Sequence, residues 1–91
     1  MNEQFFRTQM LLGTAAMEKL HDARVAVFGL GGVGGYTVEA LARAGIGALD
    51  LIDNDAVSLS NLNRQILATH STIGMAKTEA AKRRVLDINP D

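Results

Sequence analysis

The chain contains no cysteine, which removes a disulfide framework, a Cys-based zinc site and a thiol nucleophile from consideration. No apolar run reaches the roughly 18 residues of a membrane span. Met1-Asn2-Glu3-Gln4 has neither the basic nor the apolar region of a secretory signal, so the cytoplasm is the expected location and no membrane partner is expected. Neither sign of charge is in excess: nine Lys and Arg stand against ten Asp and Glu, a net charge of −1 that gives no general pull toward nucleic acid or an anionic surface. Any RNA contact must then be local. His21 and His70 occur in different contexts and read as surface or loop residues rather than a metal pair, and no metal ligands are assigned. With 47% apolar and 21% charged residues, the composition is that of an ordinary globular chain of at most one domain.

What the chain does have is glycine in one telling place. Val25-Ala26-Val27-Phe28-Gly29-Leu30-Gly31-Gly32-Val33-Gly34-Gly35 is an apolar strand that turns through glycines directly into a helix. Gly29, Gly31 and Gly34 satisfy G-x-G-x-x-G. Gly29 permits a tight turn, Gly31 lets the backbone approach a phosphate without a Cβ, and Gly34 lets the helix pack closely on the strand. From Gly32 onward the helix end offers unpaired N–H groups and a positive dipole to an anion. Asp53 stands 19 residues beyond Gly34 at the end of a second apolar run, near the spacing at which an acid bonds ribose hydroxyls.

The coarse reading is α/β. Phe5, Phe6, Met10, Leu11 and Leu12 recur loosely at helical spacing before Gly13, and Thr14 is placed to cap a second short helix through Leu20. Residues 24–28 predict a central parallel strand covered on both faces. A helix is expected over 33–44, with Val38, Leu41 and Ala42 inward and Gly45 as its stop. Residues 48–53 form the second strand of a right-handed βαβ unit, and 54–63 a polar loop. Ser71 or Thr72 opens the last helix, from about 75 to 88, where Ala81, Val85 and Ile88 recur at i, i+4 and i+7.

The loop and last helix separate two chemistries. A nicotinamide or flavin oxidoreductase needs no phosphate ligands after its second strand, yet this loop carries Asp53, Asp55, Ser60, Asn61 and Arg64. Lys77 falls near a helix N-terminus, a poor place for a cation unless a triphosphate lies beside it. Attack of a carboxylate on the α-phosphate of ATP requires neutralised anions and a stabilised pyrophosphate, which Arg64 and Lys77 can supply. Taken singly, Arg64 reads equally as a surface residue and Lys77 as a solvated helix charge. Lys82-Arg83-Arg84 reads as a solvated helix face, and the methionines and phenylalanines as core or dimer-interface filler.

Gly29-Leu30-Gly31-Gly32-Val33-Gly34, Asp53-x-Asp55, Ser60-Asn61-Leu62-Asn63-Arg64-Gln65, Gly74, Lys77 and Ile88-Asn89-Pro90 together resemble the ubiquitin-activating-enzyme-like family of the ThiF, MoeB and HesA group. The resemblance spans nearly the whole chain and implies a Rossmann-like nucleotide-binding unit. It implies that Asp53 binds the ribose of ATP, that Asn61, Arg64 and Lys77 hold its phosphates with Mg2+, and that the protein is a homodimer. Phe6-Arg7-Thr8-Gln9-Met10-Leu11-Leu12-Gly13 is similar to the segment whose arginine reaches the partner's ATP, so Arg7 is assigned that role by resemblance. As a bare sequence, Arg7 is equally a solvent-facing charge on an amphipathic helix. Asp55 is either a magnesium contact or a loop-stabilising residue.

Within the family, the Arg7 segment and Asn61-Leu62-Asn63-Arg64-Gln65 resemble the tRNA threonylcarbamoyladenosine dehydratase branch most, which implies tRNA as substrate. A sulfur-carrier protein, adenylated at its C-terminus, is the alternative partner. A non-catalytic nucleotide-binding or dimerisation unit is the third reading. The turn-like Ile88-Asn89-Pro90-Asp91 ordinarily leads into another strand, so an incomplete doubly wound sheet is expected, with an open edge and an uncovered apolar face.

Overall fold

The structure, a computed structural model, describes residues 3–90; Met1, Asn2 and Asp91, which enter the readings of the two chain ends, lie outside the described residues. A 3-10 turn, Glu3–Phe5, leads into helices α1, Phe6–Leu12, and α2, Thr14–Asp22. Strand β1, Arg24–Phe28, is followed by α3, Gly32–Ala44, strand β2, Ala48–Ile52, a long loop holding the 3-10 turn Leu59–Asn61, and α4, Lys77–Ile88. The strands pair in parallel, with Val25 opposite Leu49 and Val27 opposite Leu51. This is the expected βαβ unit behind two N-terminal helices.

One face of the sheet makes the core. Val27, Leu30, Val38, Val57, Leu67, Ala68, Ala80 and Ala81 are buried together, with Val25, Leu41, Leu49, Leu51 and Val85 packed around them. Both α3 and α4 therefore cover the face that carries Val25, Val27, Leu49 and Leu51, because side chains alternate along a strand. Among the described residues nothing covers the opposite face. Ala26 and Ala48 are exposed there, Phe28 is 78% exposed and Ile52 beside it 40%. Residues 24–28 are thus covered on one face and not on both, and the bare side is the uncovered apolar face expected of an incomplete sheet. On the bare face Arg24 Nε and Nη2 donate to the two oxygens of Asp50 at 2.7 and 2.8 Å, an exposed fork that contributes little to stability while solvent screens it.

Three local readings also change. Gly13, with φ of 88°, precedes α2 as its N-cap, while Thr14 Oγ1 accepts from Gln9 Nε2 at 3.0 Å instead of capping. The last helix starts at Lys77 rather than near 75, with Ala76 as N-cap. Neither Ser71 nor Thr72 opens it, because Thr72 Oγ1 is occupied within a turn, accepting from the Thr69 amide at 2.9 Å and donating to the Leu67 carbonyl at 2.8 Å. Strand β2 stops at Ile52, leaving Asp53 just past its end.

The N-terminal segment closes the end of the unit away from the glycine loop. Buried Phe5 lies against Gly45, which ends α3 in the left-handed conformation, and the Gln4 side-chain amide donates to the Ile88 carbonyl at the end of α4. At the other end the helix meets the strand turn very closely. A Cβ on Gly34 would stand 1.7 Å from the Gly29 carbonyl oxygen. Gly34→Ala should therefore lower unfolding stability by about 3 kcal/mol, the upper range for overpacking, measured by urea denaturation; an alanine variant as stable as the parent would show that α3 does not need this approach.

Candidate functional site

The site lies at the carboxyl ends of the two strands, where an open α/β sheet ordinarily receives its ligand. Gly29 leaves β1 with φ of 84°, a conformation that disfavours any side chain, and its N–H donates to the Ile52 carbonyl at 2.8 Å. Fully buried Leu30 then anchors the loop, Gly31 caps α3, and exposed Gly32 begins it. The first amides of a 13-residue helix therefore face the site without intrahelical partners. The place a Cβ would take on Gly31 faces Gln65 Nε2 at 3.5 Å, an ordinary contact, while the same place on Gly32 is open.

Asp53 connects this loop to the next. Its Oδ2 accepts from the Leu30 amide at 2.7 Å and its Oδ1 from the Asp55 amide at 2.8 Å. The Leu30 bond, then the Asp55 bond, hold the carboxyl below the usual carboxylate range; the charge of Lys77 and the Asn54 amide lower it further, against the opposing effect of burial. Lys77 is itself buried, and its amide donates to the Asp55 carbonyl at 2.9 Å, so the helix that carries the lysine is hung from the same loop. Asp55 is exposed.

Arg64 closes a third side. Its guanidinium donates to the Ser60 carbonyl at 3.0 Å and to Asn63 Oδ1 at 2.9 Å, and it borders a shallow groove with Gly32, Val33, Tyr36 and Thr37 of α3. Buried Asn61 orders the loop, since its Oδ1 accepts from the Ser58 amide at 2.9 Å, while Ser60 Oγ lies 3.2 Å from Ser58 Oγ. Gly29, Gly31, Gly32, Gly34, Asp53, Asp55, Ser60, Asn61, Arg64 and Lys77 are thus gathered around one end of the sheet. Arg7 is not among them. It is exposed on α1, which follows Phe5 at the far end of α3, about 20 Å away by helix rise. The two histidines are both exposed, as expected.

Gln65 closes the Asn61–Gln65 motif but receives no role from the sequence. It is buried, yet its amide stands beside Gly31 and makes no side-chain hydrogen bond among the described residues. A polar residue four after Asn61, followed by the core residues Ile66 and Leu67, is the available signal. It adds a neutral hydrogen-bonding group next to the helix end.

Residues 5–91 match the ThiF family. The chain belongs to that family. The ThiF-type chain is 45% identical over 91 residues to the tRNA threonylcarbamoyladenosine dehydratase of Bacillus subtilis, covering 100% of this chain and 36% of the relative. It is 49% identical over 73 residues to the molybdopterin-synthase adenylyltransferase of Escherichia coli, covering 80% of this chain and 29% of the relative. The crystal structure of E. coli tRNA N6-threonylcarbamoyladenosine dehydratase in complex with ATP superimposes with a TM-score of 0.95 at 46% identity, over 97% of this chain and 36% of that one. The ThiF-type chain thus spans about a third of the length of the dehydratases it matches. The Rossmann-like fold expected from the glycine run is borne out.

Asp53 offers a stability test. A carboxyl whose folded pKa is lowered stabilises the fold above the unfolded value of about 3.9, and that contribution is lost as pH falls through the folded value. Asp53→Asn should cost about 2 kcal/mol at neutral pH and reduce the loss of stability on acidification, read by urea unfolding across pH. A variant matching the parent at pH 7 would remove the carboxylate from this role.

Proposed function

We propose that this chain supplies the glycine-loop half of an ATP site in which a carboxylate is adenylated, on tRNA threonylcarbamoyladenosine. The observation that carries the reading is the convergence of the α3 amides, Arg64 and buried Lys77, with Asp53 joining their loops. Two cations beside a helix N-terminus suit a triphosphate and its departing pyrophosphate; hydride transfer has no use for them. The E. coli dehydratase solved with ATP supports the nucleotide, and the dehydratase relatives support the substrate.

In this reading a carboxylate oxygen attacks the α-phosphorus, and the bond from that phosphorus to the pyrophosphate oxygen breaks. Arg64 and Lys77 neutralise the charge that builds on the leaving pyrophosphate. Gly31, Gly32 and Gln65 line the phosphates, Ser60 and Asn61 shape the loop that presents Arg64, and Asp53 faces the ribose with the lone pairs its two amide bonds leave free. The neighbouring ureido group then attacks the activated carbonyl and closes a ring, releasing AMP. The cyclisation itself requires no enzyme thiol.

Magnesium ordinarily accompanies ATP, but this segment does not build a cage for it. Among the described residues no three carboxylates or imidazoles cluster, and Asp53 is engaged by amides, which leaves exposed Asp55 as the loop's available carboxylate.

Arg7 serves a second copy. The position of α1 at the far end of its own α3 supports an arginine that reaches the ATP of a second copy across a homodimer, and exposed Phe6, Met10 and Leu11 beside it give α1 an apolar face for that contact. The 49% identity to a molybdopterin-synthase adenylyltransferase supports a second reading, in which the acceptor is the C-terminus of a sulfur-carrier protein.

The full-length protein should exchange labelled pyrophosphate into ATP when given the modified tRNA and not when given a carrier peptide. Lys77→Ala should lower that exchange at least a hundredfold, a loss of about 3 kcal/mol of transition-state stabilisation. Exchange driven by the peptide alone would favour the second reading, and unchanged exchange in the variant would take Lys77 out of the chemistry.

A further inference from the structure

Glu39 is the point where the two site-bearing helices are tied together. Its side chain is 11% exposed and accepts a fork from Arg84 of α4, Nε at 2.6 Å and Nη2 at 3.0 Å, while Arg43 one turn along α3 donates to Oε2 at 2.8 Å. Among the described residues this is the one ion pair that joins α3 to α4. The Arg84 bond, with help from Arg43, holds the Glu39 carboxyl below its ordinary range despite burial.

The position of the tie matters more than its strength. Glu39 follows Gly32 by seven residues, and Arg84 follows Lys77 by seven. Seven residues are almost two full turns, so each pair shares one helix face and is separated by about 10 Å along the axis. The two helices also run the same way, for both start at the site end of the sheet and both finish near Phe5 and Gln4. The face joined by the Glu39 fork is therefore the face that, two turns higher, presents Gly32 on one helix and Lys77 on the other. A guanidinium fork fixes both separation and rotation, which a single hydrogen bond does not.

We propose that Glu39 and Arg84 are positioning residues that set the distance between the phosphate-facing amides of α3 and the Lys77 ammonium. The assignment rests on the ATP-site reading above. Neither side chain touches the nucleotide. Loosening the fork lets α4 shift against α3, which draws Lys77 away from the outer phosphates, while a ligand held by the glycine loop alone is unaffected. Displacements of about an ångström are enough to weaken such a constellation.

The test compares ATP with AMP, which lacks the outer phosphates, by calorimetric titration of the full-length protein. Arg84→Met, which keeps the length of the side chain, should weaken ATP about tenfold and AMP less than twofold, and Arg84→Lys, which keeps the charge without the fork, should recover only part of the ATP loss and leave AMP within about twofold of the parent. Equal weakening of both nucleotides would mark the pair as merely structural and overturn the assignment, as would an unchanged affinity for ATP. Should Arg84→Met fail to fold, as judged by its melting curve, Glu39→Gln is read by the same ratio. A parent protein that binds neither nucleotide overturns the ATP-site reading itself, a result distinct from a changed ratio in a variant.

Discussion

The carboxylate of Asp53 lies between two amides that belong to different loops, Leu30 in the glycine turn and Asp55 in the connection to α4. Parallel strands are not joined by a turn, so the loops at their carboxyl ends have no covalent reason to stay in register with each other. One acid supplies it. The Asp55 carbonyl then accepts from the first amide of α4, so that glycine loop, carboxylate, polar loop and lysine helix form a single hydrogen-bonded chain. Gln65, Asn61 and Arg64 are placed by the same loop. With this chain intact, most of the positive and hydrogen-bonding groups of the site face one space.

The electrostatic arrangement at the start of α4 runs against the helix dipole. Lys77 heads α4 and is buried, so it is held against the unfavourable end of its own helix dipole and against the cost of burying charge. Asp53 offsets part of that cost from a distance. A polyanion would offset more, so such a site has its electrostatic balance completed by the ligand.

Much of this is legible in the sequence, for reasons that differ by residue. Gly29 and Gly34 can be placed because backbone sterics leave few alternatives: one turns the chain with positive φ, the other makes room for a carbonyl. The acid at 53 can be named because its spacing from the glycine run is set by element length, and the cations at 64 and 77 because their residue types and the family resemblance agree. What they bond to cannot be read, since Asp53 finds Leu30, 23 residues away, only when the two strands pair. That one apolar face would be uncovered can be expected from an incomplete sheet, but which face of β1 it is cannot, because an apolar strand looks the same from either side. Thr72 looks like a helix opener, but its hydroxyl has a nearer use. The Glu39 and Arg84 fork spans 45 residues and carries no local signal.

Arg24 and Asp50 face each other on the bare side of the sheet. In water their fork adds little, but its worth depends on what lies over it. Beneath a covering layer both ions would lose hydration, and only an element that left their mutual geometry undisturbed could be accepted without a large penalty. Phe28 and Ile52, at the other end of the same face, reward any apolar neighbour indiscriminately. The bare face therefore differs along its length, apolar at Phe28 and Ile52 near the site and charged at Arg24 and Asp50.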